Sequence, residues 1–218
     1  MYCLTRLKLG FTLVEVLVVL TILAVLAALL FPALAGARES GRQIRCLANL
    51  RQLGGAIYLY LQDYDQKFPY GLDPFDRYYP EQWLGWSNPW TGESYYEQVL
   101  RLIAVHPTQT NLDQVLLPYY SGEPEVWHCP DDRGWPRSPG NSSLFHTFGS
   151  SYIYRTELAL SHIPLPSLAH PSETNLLVDA VAWHRKGPRT VNLLYTDGHV
   201  KNVREEEYWA AHYTSLYW

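Results

Sequence analysis

Gly10-Phe11-Thr12-Leu13-Val14-Glu15 opens a long apolar run, and its reading decides the fold. Arg6 and Lys8 precede it, and from Phe11 to Ala35 the only ionisable side chain is Glu15. A carboxylate inside a membrane-length segment costs about 2.5–3.5 kcal/mol on insertion scales, so it marks a functional position. A secretory signal with a cut near Ala33-Leu34-Ala35 would have an apolar core about half this long and no acid in it. A plain anchor spans about 20 apolar residues, but leaves Glu15 unexplained.

The run ends in Phe31-Pro32-Ala33-Leu34-Ala35-Gly36, and Pro32 is expected to kink or loosen the helix there. Beyond it Cys46, Leu50, Leu53, Ile57, Tyr60 and Tyr64 recur at spacings of four and three, a narrow helical stripe. Arg45, Asn49, Arg51, Gln52 and Gln62 fall on the other face. The sequence therefore predicts one helix over about 11–64, apolar all round at first and then one-faced. Pro69 ends it. Asp63 and Asp65 offer oxygens for calcium, but two acids are too few for such a site.

Residues 70–92, rich in Pro, Gly, Trp and Tyr, read as an ordered loop. Trp83, Trp86 and Trp90, with Tyr70, Tyr78 and Tyr79, either form a platform for a glycan or protein or fill the core; burial is the expectation. Ser94-Tyr95-Tyr96-Glu97 has capping-box form and starts a helix to about Ala104. Asn111 and Gln114 suggest a further short turn. Residues 151–156, 175–181 and 190–196 are strand-like. Asp197-Gly198 then separates two apolar runs by two residues, the signature of a type I′ hairpin. The tail from Arg204 reads as a final helix.

Composition narrows the function. The chain has 218 residues, a formal net charge of −4 and 17% charged residues. Losing residues 1–10 would remove two cations and make it more acidic, against a nucleic-acid-binding surface. Of three cysteines, Cys3 precedes Gly10; Cys46 and Cys129 form an even pair, free to bond on the oxidising side of a membrane or to stay as buried thiols. Cys46 lies on the apolar stripe, which makes a bond to Cys129 geometrically plausible. His184, Asp197 and His199 are the residue types of a metal site, although Asp197-Gly198 already has a turn to explain it. Asp179, His184 and Ser151 match a hydrolytic triad by type only, with no G-x-S-x-G.

The opening stretch resembles the processing site of type IV pilins and type II secretion pseudopilins. The resemblance implies a prepilin peptidase/methyltransferase that cuts between Gly10 and Phe11 and methylates Phe11, with Glu15 as the fifth mature residue. Glu15 would then neutralise the N-terminal amine of a neighbouring subunit, as buried charges require. Cys46-Leu47-Ala48-Asn49-Leu50-Arg51-Gln52 resembles a C-x-x-N-L-[KR]-Q pattern of a large pseudopilin-like family, and Trp127-His128-Cys129-Pro130-Asp131-Asp132 is similar to another of its segments. Asn192 to Val200 resembles the end of its H-x9-DG domain, but His184 stands twelve residues before Asp197 rather than nine.

The resemblance implies an α+β, pilin-like fold: a leader (1–10), a transmembrane or filament-core helix (11–35), its amphipathic continuation (36–69) and a head (70–218) with a small antiparallel sheet. It also implies a filament subunit without catalysis or cofactor, whose partners are the processing enzyme, the membrane and copies of itself or other pilin-like subunits. It places the leader in the cytoplasm and the head outside, although Arg38, Arg42, Arg45 and Arg51 after the segment would argue the reverse by charge alone. A membrane-anchored binding module that never polymerises is the alternative.

Overall fold

A computed structural model describes residues 12–89, 91–105, 111–120, 122–135, 142–184 and 189–214. Gly10, Phe11 and Trp90 lie outside them, as does the 186–188 loop after His184. The chain divides into two compact units, residues 1–41 and 42–218. Helix α1 (Leu13–Asp63) is 51 residues long and unbroken across Pro32. The fold is α+β and pilin-like: a long N-terminal helix, a four-stranded antiparallel sheet and short helices.

In the first unit the apolar side chains of α1 are exposed, Leu13, Leu17, Leu20 and Phe31 among them. The segment is long and apolar enough to cross a membrane. Its hydroxyl at Thr21 donates to the carbonyl of Val18 at 2.8 Å, so it brings no unsatisfied polar atom into that segment.

In the second unit the stripe is real: Cys46, Leu50, Leu53, Ile57 and Tyr60 are buried. Two expectations are corrected. Tyr64 does not continue the stripe; it is half exposed and stacks on Tyr60 at 4.1 Å between centroids. Asn49, expected outside, is buried, because its amide donates to the carbonyl of His128 at 2.9 Å.

The sheet runs β1 (Tyr152–Tyr154), β2 (Asn175–Asp179), β3 (Thr190–Tyr195), β4 (Val200–Arg204), each antiparallel to the next. Alternation along β3 splits its side chains: Leu194 joins the core with α1, while Val191, Leu193 and Tyr195 face the other way. A register shift between Asn175 and Leu177 inserts an extra residue in β2, so Leu176 and Leu177 both reach the α1 side. Gly54 lets α1 approach closely; a Cβ there would stand 3.0 Å from Leu194 Cδ1. The opposite face is covered by the final helix α7 (Glu205–Thr214), whose Tyr208 and Ala211 pack on Val178, Val191 and Val203. That cover is why β2 is buried on both faces.

The hairpin turn differs from expectation. Gly198 N donates to Tyr195 O and Tyr195 N to His199 O, both at 2.9 Å. Three residues therefore link the strands, with Gly198 alone at positive φ (+89°). This is a type I turn closed by a left-handed glycine. Type I′ would put Asp197 as well as Gly198 at positive φ, but Gly198 alone of the pair has it, and Thr196 is held by a bond from its amide to Thr174 O at 2.8 Å. A Cβ on Gly198 would also meet the Tyr58 ring at 3.1 Å.

Residues 70–92 carry more structure than a loop. Asp73 caps α2 (Pro74–Tyr78), accepting from the amides of Phe75 and Asp76. A 3-10 turn follows over Pro80–Trp83, then α3 (Tyr95–Val105) and, after residues outside the described set, α4 (Leu112–Val115). Helices α5 (Leu144–Phe148) and α6 (Thr156–Leu160) flank β1. The expected aromatic core is corrected: Trp83 is buried, but Trp86 is 58% exposed and Tyr78 57%. The Trp83 ring N–H finds a buried partner, Asp76 Oδ1 at 2.9 Å.

Candidate functional site

At the start of α1, Thr12 and Glu15 form a capping box. Glu15 N donates to Thr12 Oγ1 at 3.3 Å, and the Glu15 carboxylate accepts from Thr12 N at 2.8 Å and from its hydroxyl at 2.7 Å. Glu15 thus has a local task in the isolated chain, which the T-x-x-E spacing could have revealed. The bonds are exposed and within one turn, so they can be given up for a cation without unfolding anything.

The second cluster lies in the head. Cys46 and Cys129 are joined in a disulfide, with Cα atoms 5.1 Å apart across 83 residues of sequence. The loop after Cys129 is pinned by Asp132, whose carboxylate accepts from the amides of Gly134, Leu144 and Phe145, each at 2.9 Å, and from Ser151 Oγ at 2.7 Å. The Ser151 hydroxyl also accepts from Cys129 N at 3.0 Å. It is fully buried and taken up by structure.

His184 sits against this disulfide. Its Nε2 is 3.7 Å from Cys129 Sγ and 3.4 Å from Asp179 Oδ2. Its Nδ1 is 2.9 Å from Asp131 Oδ2, close but out of line for a hydrogen bond. Arg42 pairs with the other oxygen of Asp131. Burial disfavours the charged imidazole, but the hydrogen bond and charge of Asp179, joined by Asp131, outweigh it and hold the His184 pKa above its ordinary value. Burial pushes the Asp179 carboxyl up, and His184 only partly opposes it.

The structure does not bring the sequence-predicted trio together. His184 is buried and bridges to Thr190 at one end of β3, whereas Asp197 and His199 lie in the turn at the other end, paired with each other at 2.6 Å. Asp63 accepts from Tyr119 Oη at 3.0 Å, and among the described residues no third ligand joins it and Asp65. In sequence Asp131 and Asp132 belong only to the family-like segment 127–132, with no role of their own; the structure makes one a partner of His184 and the other the anchor of its own loop.

Residues 5–31 match the family model for the prokaryotic N-terminal methylation motif. The match covers the opening stretch and most of the apolar run, and indicates a processing substrate of the type IV pilin or pseudopilin kind. The C-terminal resemblance to an H-x9-DG domain gains no such support. No curated protein and no solved structure matches the chain.

Proposed function

We propose that the protein is a structural subunit of a type IV pilus or type II secretion-like filament, processed after Gly10, methylated on Phe11 and assembled by helix packing. The observation that carries this reading is the methylation-motif match over residues 5–31, on a helix whose apolar side chains are exposed among the described residues of its unit. Lipid covers such a surface before assembly, and the same surface of neighbouring subunits covers it afterwards. The chain is anchored in the cytoplasmic membrane with its head outside, and a prepilin peptidase/methyltransferase is its first partner.

Glu15 gives the assembly its register. In the filament it leaves Thr12 for the new amine of a neighbouring Phe11, trading a surface-accessible cap for a desolvated ion pair. The head supplies no catalytic constellation in this reading. Mass spectrometry of the N-terminal peptide from purified filaments tests it. An N-methylated Phe11 is expected, and an intact leader or a cut after Ala35 would sink the proposal. Glu15→Ala is expected to remain processed and membrane-bound but to be lost from filaments; incorporation at the wild-type level would refute the ion pair.

A further inference from the structure

The filament reading leaves His184 without a task. His184, Asp131 and Asp179 are 2%, 1% and 3% exposed; His184 stands beside the disulfide and the two carboxylates stand beside His184. His184 Nδ1 and Asp179 Oδ1 lack an aligned hydrogen-bond partner. Such orphans are uncommon in native interiors and call for a reason. An ion-pair cluster would serve the fold as well without placing an imidazole nitrogen on a sulfur.

We infer that in the dithiol form Cys46, Cys129 and His184 make a binding site for a thiophilic divalent cation of the zinc class. One ligand atom from each lies within 4.8 Å of the others. Zinc holds thiolate sulfur at about 2.3 Å and imidazole nitrogen or carboxylate oxygen at about 2.0–2.2 Å, in a tetrahedron. Those lengths set neighbouring sulfur and nitrogen ligands about 3.6 Å apart, and nitrogen and oxygen about 3.4 Å apart. The Nε2 distances, 3.7 Å to Cys129 Sγ and 3.4 Å to Asp179 Oδ2, have the lengths of those edges. Cys46, Cys129 and His184 supply three ligands, and the fourth position falls to a water or to Asp179 once its carboxylate moves toward the sulfurs. The two sulfurs must part, to about 3.7 Å.

The outer contacts fit the same reading. A metal-binding histidine turns its other nitrogen to a carboxylate, which fixes the tautomer. His184 Nδ1 faces Asp131 at 2.9 Å, and Arg42 fixes Asp131 in turn. A slight ring rotation on binding aligns that contact. Two thiolates and an imidazole prefer zinc or cadmium to calcium or magnesium.

The chemistry balances with a dithiol or phosphine as reductant. Two electrons break the S–S bond, and two protons complete two thiols. The cation binds both sulfurs as thiolates, and the two protons leave. A disulfide oxidant takes the electrons back, the S–S bond re-forms and the cation is released. Either bridge ties α1 to the loop before Asp131, so the cation keeps the reduced head folded.

The test uses the full chain in detergent, reduced by a phosphine with cadmium or zinc present throughout. Bound metal is counted after gel filtration, and cadmium–thiolate absorption reports the sulfurs. One cation per reduced chain and none on the oxidised chain is expected. Asp131→Asn should weaken binding about 10–100-fold, and His184→Ala should weaken it further while its oxidised form stays folded by circular dichroism. A reduced chain that binds no cation, that unfolds and is not rescued by one, or that binds equally well as His184→Ala, overturns the inference. None of these readouts depends on filament assembly.

Discussion

Removing the covalent tie between helix and loop has a calculable cost. Cys46 and Cys129 are 83 residues apart, so their bond forbids a large loop to the unfolded chain. The chain-entropy relation gives about 15 cal/mol/K for that length, or about 4.5 kcal/mol at 25 °C. The perturbation is the double variant Cys46→Ala with Cys129→Ala; alanine avoids placing two hydroxyls in sites that are fully buried. Lost packing around the sulfurs can only add to the effect. Trp83, Trp127 and Trp183 are buried and report head unfolding by fluorescence. With a urea slope of about 2 kcal/mol/M, the midpoint should fall by about 2 M. A fall under about 0.5 M would refute the reasoning, for it would mean that Asn49 and the stripe hold α1 to the head in the unfolded ensemble too.

The adjacent glycines of α1 should respond with opposite sign in thermal unfolding. Gly54→Val drives atoms into Leu194 and should cost about 1–3 kcal/mol, while Gly55→Ala meets nothing within 4 Å and should gain about 0.5–1 kcal/mol. Asp132→Ala strands three amides and should cost at least about 3 kcal/mol in urea unfolding; a loss under about 1 kcal/mol would show that water replaces the carboxylate. Asp73 and Asp76 at the start of α2 should make the head acid-tolerant. Burial raises the Asp73 carboxyl to about 7, with Glu157 adding to it, and raises its neighbour Asp76 as well. Between about pH 4 and 7 the folded head then holds protons that the unfolded chain has released, so stability falls as pH rises. Below about pH 6, before His184 contributes, Asp76→Asn should flatten that slope; an unchanged slope would assign it elsewhere.

The parts legible in sequence were those with a local period or a local cap. The stripe from Cys46 to Tyr60, the helix start after Ser94 and the end of α1 before Pro69 depend on neighbours within a few turns, and the structure has them where the spacing puts them. Asn49 failed the same reasoning because polarity was read as exposure. A carbonyl 79 residues away takes its amide inside, and no window along the helix contains that carbonyl. The turn at Asp197-Gly198 failed for a related reason. Its dipeptide fits type I′, but the bond from Thr196 to Thr174, just before β2, goes with the three-residue turn.

Function divides along the same line. The methylation motif is a linear signal: its residues, 5–31, are contiguous, so the sequence carries it whole. The head's chemistry is assembled from α1, the loop after Cys129, β2 and the residue before a hairpin loop, so its members are scattered over more than 130 positions between Cys46 and His184. Sequence could nominate His184 as metal-binding by type, yet it paired it with Asp197 and His199 because they were near in sequence. The fold instead gives His184 to the disulfide and leaves the Asp197–His199 pair to its turn. Proximity along the chain grouped His184 with residues that the fold puts at the other end of β3; the register of β2 against β3, which sets Asp179 opposite the His184 end of the sheet, supplies its neighbours instead.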